Sequence, residues 1–422
     1  MKVSKLAMAI AVAGCLPANV MMAQNGAQPS VQRTAYEYGS YYDEEEVADI
    51  SANSDASAPL TGGYLNTSCD TCDAPCDSCG SDCGGSCGGG FSLKDATLGK
   101  NHWLDVGGWT QLGYHNKSTV IGTADMYNKH PGKFNLHQQW FYLGKEADGR
   151  RGWDWGFRTD VIYGVDAQDT QAFGNNPGNW DFQNGWDNGI YGWAMPQLYG
   201  EVENGDLNIK FGRFFTLVGY EVVAAPQNFF YSRAFTTYNS EPFTHTGVLA
   251  TYTVSDNLTT YGGWTYGWDT GFDQFQGGSS FLGGFSASLT DDVTFTYIST
   301  AGDFGARGNN GYSHSLVFDF TLSDRLNYIL QSDLVSVDPN GGGHDDDVGI
   351  NQYLLYTLND CWRVGSRLEW WKDEGRSHYS ITGGVNYRPT ASVVVRPEIR
   401  HNWAPSFNQN RTIFGIDTIF TF

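Results

Sequence analysis

The chain has 422 residues, 53 glycines, 15% aromatic residues and a formal net charge of −21. That acidity excludes a nucleic-acid binder, whose affinity comes from neutralising phosphates with lysine and arginine. Beyond the first 23 residues no stretch approaches the roughly 18–20 apolar residues of a membrane helix. Richness in glycine and aromatics fits instead a chain that crosses a membrane as strands, with residues alternating between lipid and lumen.

The N-terminus opens with Met1-Lys-Val-Ser-Lys5, an apolar run from Leu6 to Val12, and small residues up to Ala23. Two lysines before a short apolar core predict a secretory signal peptide over 1–23, too short for a membrane anchor. The stretch Val12-Ala-Gly-Cys15 offers a second reading, a lipobox with lipidation at Cys15. Residues 24–68 are rich in Ser, Ala, Asn and acids, with Asp43-Glu-Glu-Glu46 near their centre. They cannot bury enough apolar area to offset ordering entropy, which predicts a disordered segment or linker.

A cysteine-rich segment follows at 69–90, with Cys69, Cys72, Cys76, Cys79, Cys83 and Cys87. Paired C-x2-C spacings are compatible with a metal site. Export to an oxidising compartment favours disulfides, within or between chains, and the segment lacks an apolar core for a metal to staple. The six are therefore disulfide candidates, and no resident metal or cofactor is expected. Cys361 sits apart in a predicted turn and is assigned no chemistry.

From about residue 100 to 422 the pattern is all strand. Candidates lie near 102–115, 133–144, 153–163, 192–203, 206–216, 246–254, 257–267, 279–289, 292–300, 311–322, 325–335, 348–358, 361–371, 376–388, 391–402 and 411–422. Leu316, Phe318, Phe320 and Leu322 alternate with Ser315, Val317, Asp319 and Thr321. Strands of about ten half-polar residues suit a tilted membrane strand. Most alternate connections are tight, as at Asn204-Gly-Asp206, Ser255-Asp-Asn257, Thr290-Asp-Asp292 and Ser323-Asp-Arg325. Asp, Asn and Gly suit such hairpins because they tolerate left-handed backbone. The intervening connections, near 116–132, 164–191, 217–245, 268–278, 301–310, 336–347, 372–375 and 403–410, are mostly longer. The expected fold is an all-β transmembrane up-and-down antiparallel barrel of about sixteen strands, with short periplasmic turns and long extracellular loops. An even strand count puts both barrel ends, and the N-terminal segment, on the periplasmic side.

If apolar faces meet lipid, the opposite faces line a lumen. Arg158 and Asp160, Glu201, Lys210, then Arg363, Arg367 and Glu369, and finally Arg396, Glu398 and Arg400 point inward on this reading. Arg or Lys facing lipid near the midplane would cost about 2–4 kcal/mol. The charged ladder either guides solutes or braces the wall through Arg–Glu pairs, and the two are compatible. The connection 217–245 is too apolar and aromatic for a tip in water, which predicts a loop folded into the lumen. Glu221, Arg233 and Glu241 are then the candidates for a constriction. His344 beside Asp345, Asp346 and Asp347 could hold a divalent cation, but a solvated acidic loop is the favoured reading.

The final segment carries Phe414, Ile416, Thr418, Phe420 and Phe422 on one face. An alternating last strand with a terminal Phe resembles the assembly signal of bacterial outer-membrane barrels, with Phe420 and Phe422 as its key residues. No G-x-S-x-G, H-E-x-x-H or phosphate-binding loop occurs, so no catalytic residue is nominated.

The motifs Gly108-Trp-Thr-Gln-Leu-Gly-Tyr114, Asn135-Leu-His-Gln-Gln-Trp-Phe-Tyr142, Met195-Pro-Gln-Leu-Tyr-Gly-Glu-Val202, Lys210-Phe-Gly-Arg-Phe-Phe215, Phe230-Tyr-Ser-Arg-Ala-Phe235 and Glu241-Pro-Phe-Thr-His-Thr-Gly247 occur in that order. Together they resemble the OmpL-like beta-barrel porin family of planctomycete-type bacteria, over roughly 100–422. The resemblance implies an outer-membrane porin and carries no substrate. The expected function is passive diffusion of small hydrophilic solutes and ions through a water-filled pore. Outer-membrane lipid and the assembly machinery are the expected partners, and a homotrimer is plausible. The alternatives are a plugged structural or adhesive barrel, cross-linked through the cysteine segment, and a barrel enzyme acting on lipid or glycan. Acids outnumber bases in the barrel and favour cations at the mouths, while the inward arginines favour anions at the wall.

Overall fold

The computed structural model describes residues 90–172, 180, 181 and 185–422. The expected signal peptide and linker, Cys15 and the six clustered cysteines lie outside the described residues. Sixteen strands follow one another: β1 (Asp105–His115), β2 (Phe134–Lys145), β3 (Asp154–Gly164), β4 (Gly192–Asn204), β5 (Leu207–Phe215), β6 (Thr244–Ser255), β7 (Leu258–Thr265), β8 (Ser279–Thr290), β9 (Val293–Asp303), β10 (Asn309–Ser323), β11 (Leu326–Asp338), β12 (Asp345–Asn359), β13 (Trp362–Asp373), β14 (Arg376–Thr390), β15 (Val393–Ala404) and β16 (Gln409–Thr421). Each pairs antiparallel with its sequence neighbour, and β16 closes on β1 with Trp109 opposite Thr421 and Tyr114 opposite Ile416. Closure leaves no unpaired strand edge, the condition for a sheet to sit in hydrocarbon. Every expected strand is present.

The period-two pattern is what chooses the faces. Along β11, Asn327, Ile329, Gln331, Asp333, Val335 and Val337 are buried, and the alternate residues are partly exposed. The outer face carries aromatic pairs at two heights. Trp362 stacks on Tyr387 at 4.3 Å, and Phe320 meets Tyr328 at 5.7 Å, towards one rim. Tyr379 stacks on Trp403 at 5.3 Å towards the other. Two girdles flanking an apolar band match the two interfaces of a bilayer.

The rims differ as expected. On one, six of the seven connections leave two residues between strands, and the seventh spans 146–153. On the other, three connections are long: 116–133, 165–191 with a short helix α1 (Val165–Thr170), and 216–243 with a short helix α2 (Phe235–Asn239). That rim shortens towards the C-terminus, and β13 meets β14 through Glu374 and Gly375 alone. Their φ values of 45° and 86° are those a type I′ hairpin requires.

The last residue is part of the ladder. Phe422 N donates to Gly108 O and Gly108 N donates to Phe422 O, both at 2.9 Å. Cys361 departs from expectation. Given no chemistry on sequence grounds, it is disulfide-bonded and buried in the tight turn between β12 and β13. It is the only cysteine among the described residues.

Candidate pore constriction

The connection 216–243 lies inside the barrel. Its Leu217, Val218, Val223, Phe229, Phe230, Tyr231, Phe235 and Phe243 are all 8% exposed or less. Phe229 and Phe230 pack with Val317, Ile329, Tyr353 and Leu355 of β10–β12. Val223, Ala224, Ala225 and Phe243 pack with Trp109, Trp140, Ile162 and Ile419 across the lumen. Burying each large apolar side chain contributes about 1.5–3 kcal/mol, which explains a loop composition unsuited to water.

Inward-facing glycines make the space. A Cβ on Gly349 would sit 2.1 Å from Thr236 Cγ2, and one on Gly113 would sit 2.5 Å from the Tyr231 hydroxyl. Gly365 and Gly384 stand likewise against Phe229 and Phe230.

A loop inside a barrel loses water without gaining a strand partner, so its polar backbone must be satisfied by side chains. The wall arginines do this. Arg367 donates Nη1 to Ser232 O at 2.8 Å, and Arg400 donates Nη1 to Arg233 O at 2.6 Å. Arg396 donates Nη1 to Ala225 O at 3.0 Å and to Asn228 O at 2.6 Å. The acids accept in turn: Glu369 takes Phe235 N at 2.8 Å and Glu398 takes Ser232 N at 3.1 Å. Ion pairs fix the same groups, with Arg367 to Glu221 at 2.5 Å and to Glu369 at 2.7 Å, Arg400 to Glu369 at 3.2 Å and Arg396 to Asp417 at 2.5 Å. The ladder on β13 and β15 is therefore a clamp on the loop.

The other expected residues divide into enclosed and accessible groups. Glu221 also accepts Ala234 N at 2.7 Å. Arg233 donates to the carbonyls of Val222, Tyr231 and Val223 at 2.9, 3.3 and 3.0 Å, and is 3% exposed. Glu241 accepts from Gln331 Nε2 at 2.7 Å. Burial, with Asp333 alongside, pushes its carboxyl well above the usual range. Arg158 pairs with Asp160 at 2.5 Å, and Glu201 accepts Ala147 N at 3.1 Å. Lys210 lies 5.2 Å from the Tyr199 ring centre and Arg363 lies 5.7 Å from that of Phe229, both half-buried. With Thr253, Ser288, Thr294 and Asp319, also half-buried, they make a polar inner wall towards the short-turn rim.

Sequence alternation missed a second anchor. A register shift between Gln111 and Leu112 lets both His137 and Gln138 point inward, at 1% and 0% exposure. Tyr231 Oη lies 2.6 Å from His137 Nε2, and His137 Nδ1 lies 2.9 Å from Asp166 Oδ1. Gln138 donates to Asp166 Oδ2 at 3.0 Å and to Val223 O at 2.9 Å. The only sequence signal is the run of polar residues His137-Gln-Gln139.

Among solved structures, the barrel resembles the anion-selective porin from Comamonas acidovorans, at 9% identity and TM-score 0.53, covering 76% of this chain and 99% of that one. The outer membrane channel DcaP of Acinetobacter baumannii is similar at 10% identity and TM-score 0.51, covering 79% and 100%. The trimer form of OmpT, an outer membrane protein of Vibrio cholerae, is similar at 11% identity and TM-score 0.50, covering 76% and 99%. At such identities these likenesses concern the fold. No curated protein matches the chain. The family described as "Putative beta-barrel porin-2, OmpL-like" matches residues 103–422. With a closed barrel around an inward loop over that same span, the chain belongs to the OmpL-like beta-barrel porin-2 family and is an outer-membrane porin.

Proposed function

We propose that the protein passes small hydrophilic solutes and ions by passive diffusion through the part of the lumen that the inward loop leaves open. The observation that carries this is the pairing of a clamped loop on one side with a half-buried polar wall on the other. Solutes pass along Lys210, Thr253, Ser288, Thr294, Asp319 and Arg363, while Glu221, Arg233 and Glu241 hold the loop that sets the width. The short-turn rim faces the periplasm, the compartment that also holds the N-terminal segment. Phe420 and Phe422 engage the assembly machinery, and the barrel associates as a trimer, as the similar OmpT of Vibrio cholerae does in its trimer form. Liposome swelling with sugars of increasing size tests this, since a pore predicts a size cut-off and a plugged barrel predicts no swelling with any sugar.

A second reading, a plugged structural barrel cross-linked through its clustered cysteines, draws support from the near-complete burial of the wall charges. It predicts a ladder of multimers on gels without reductant that collapses to one band with it.

A further inference from the structure

The run from His344 to Asp347 does not act as one acidic loop. Strand alternation on β12 turns Asp345 and Asp347 inward, while His344 and Asp346 pair with each other outside at 3.1 Å. The inward pair meets a third carboxylate that the sequence places elsewhere, because Asp347 lies opposite Asp373 in the β12–β13 register. One oxygen from each of Asp345, Asp347 and Asp373 lies within 4.8 Å of the others.

Two features mark this as more than a cluster of acids. The ion pairs and hydrogen bonds of all three carboxylates fall on Oδ2. Arg307 reaches Asp345 at 3.9 Å and Asp347 at 2.8 Å, and Asp373 Oδ2 accepts from Thr123 at 2.6 Å and from Arg376 at 2.9 Å. In addition, Asp347 is 3% exposed and its Oδ1 is enclosed without any hydrogen-bond partner. An enclosed carboxylate oxygen with no donor is unfavourable, and a bound cation would satisfy it.

From this geometry we propose that Asp345, Asp347 and Asp373 bind a hard divalent cation, calcium above all, at the long-loop rim. Calcium takes carboxylate and water oxygens at about 2.3–2.6 Å, so two of its ligand oxygens stand at most about 5 Å apart. The observed spacing fits that limit, with water filling the remaining positions. Three carboxylates against Arg307 and Arg376 leave a net negative charge, and Arg376 also divides its charge with Glu374 at 3.0 Å. Side chains of three long-rim connections meet here: Thr123 from 116–133, Ser240 from 216–243 (its hydroxyl 3.4 Å from Asp347 Oδ2) and Arg307 from 304–308. The cation thus ties the end of the inward loop to the barrel wall.

The test uses terbium, which takes calcium's oxygen ligands, bound to the whole chain folded in detergent free of lipopolysaccharide and stripped with chelator. Trp371, whose indole donates to Ser240 Oγ at 2.8 Å, stands ready to sensitise its emission. The expected result is saturable emission that calcium displaces, with affinity at least tenfold weaker in Asp347→Asn and in Asp373→Asn. Arg307→Ala, which removes the competing cation, binds at least as tightly as the wild type. Trp371→Phe loses most of the emission but retains calcium binding by calorimetry. Heat-modifiable migration on gels confirms that each variant is folded. Absent emission in the folded wild type, or equal emission in Asp347→Asn, overturns the site. So does tight binding that appears only after Arg307 is removed, since the arginine would then be its resident cation.

Discussion

Arg367→Met removes the centre of the clamp while keeping most of the side-chain volume. The guanidinium makes two ion pairs, to Glu221 and Glu369, and reaches the loop at Ser232 O, Ser232 Oγ and Arg233 O. Without it Glu221 loses its ion-pair partner at 5% exposure, and Glu369 keeps Arg400 at 3.2 Å. Removing one partner of a buried pair costs about 3–5 kcal/mol. The cost falls on the loop, because the β13 ladder uses backbone groups that the substitution leaves alone. At about 1.4 kcal/mol per factor of ten, the released population of the loop rises by about two to three and a half orders of magnitude. Hydrogen–deuterium exchange of 229–239 should accelerate accordingly, and open-channel current noise should grow, while heat-modifiable migration stays that of a folded barrel. Arg363→Met is the control. That half-buried side chain lies on the polar wall, so its loss should shift the reversal potential towards cations and change loop exchange by only about a few-fold, through its contact with the Phe229 ring. Wild-type exchange rates in Arg367→Met would refute the clamp.

Gly349→Val drives a side chain into Thr236, and overpacking of this kind costs about 1–3 kcal/mol. Exchange across 235–241 should rise while the ladder of β12 stays protected. Arg233→Glu sets a carboxylate among the three carbonyls that now accept from Arg233. Larger and noisier conductance is expected, and a changed ion preference with a fully protected loop would contradict the enclosed placement. The Glu241 carboxyl is raised in the folded state by burial, with Asp333 and Glu221 as its charged neighbours. Its contribution to loop docking is therefore fully present below the unfolded value near about 4.3 and is lost as pH rises through the folded value. Exchange of the loop should accelerate with pH beyond the intrinsic rate, and Glu241→Gln should abolish that excess. Cys361→Ser should change the non-reducing gel pattern if its disulfide contributes to cross-linking, and an unchanged pattern would remove it from that role.

The strands and the two unequal rims were legible because a barrel is local in sequence. Each strand pairs with its neighbour, and lipid on one face forces the alternation seen along β10 and β11. The inward loop was legible from its aromatics. The function of the arginine ladder was only half legible: alternation placed Arg367 and Arg400 inward, but their hydrogen bonds to Ser232 and Arg233 join residues more than a hundred positions apart. Gly349 and Gly113 read as ordinary strand glycines until the loop against them is known. The register shift beside Gln111 is invisible to a period-two count, so the inward turn of both His137 and Gln138 was missed. Asp373 lay in the connection 372–375 by sequence and joins Asp345 and Asp347 only through the β12–β13 register.

The proposed pore is the path that a loop clamped on one wall leaves open along the other. Single-channel recording of the purified, detergent-folded protein in a planar bilayer, under a potassium chloride gradient, tests it most directly. Discrete open steps with a defined reversal potential are expected. A folded, heat-modifiable protein that never conducts would contradict the open pore and favour the plugged, cross-linked barrel.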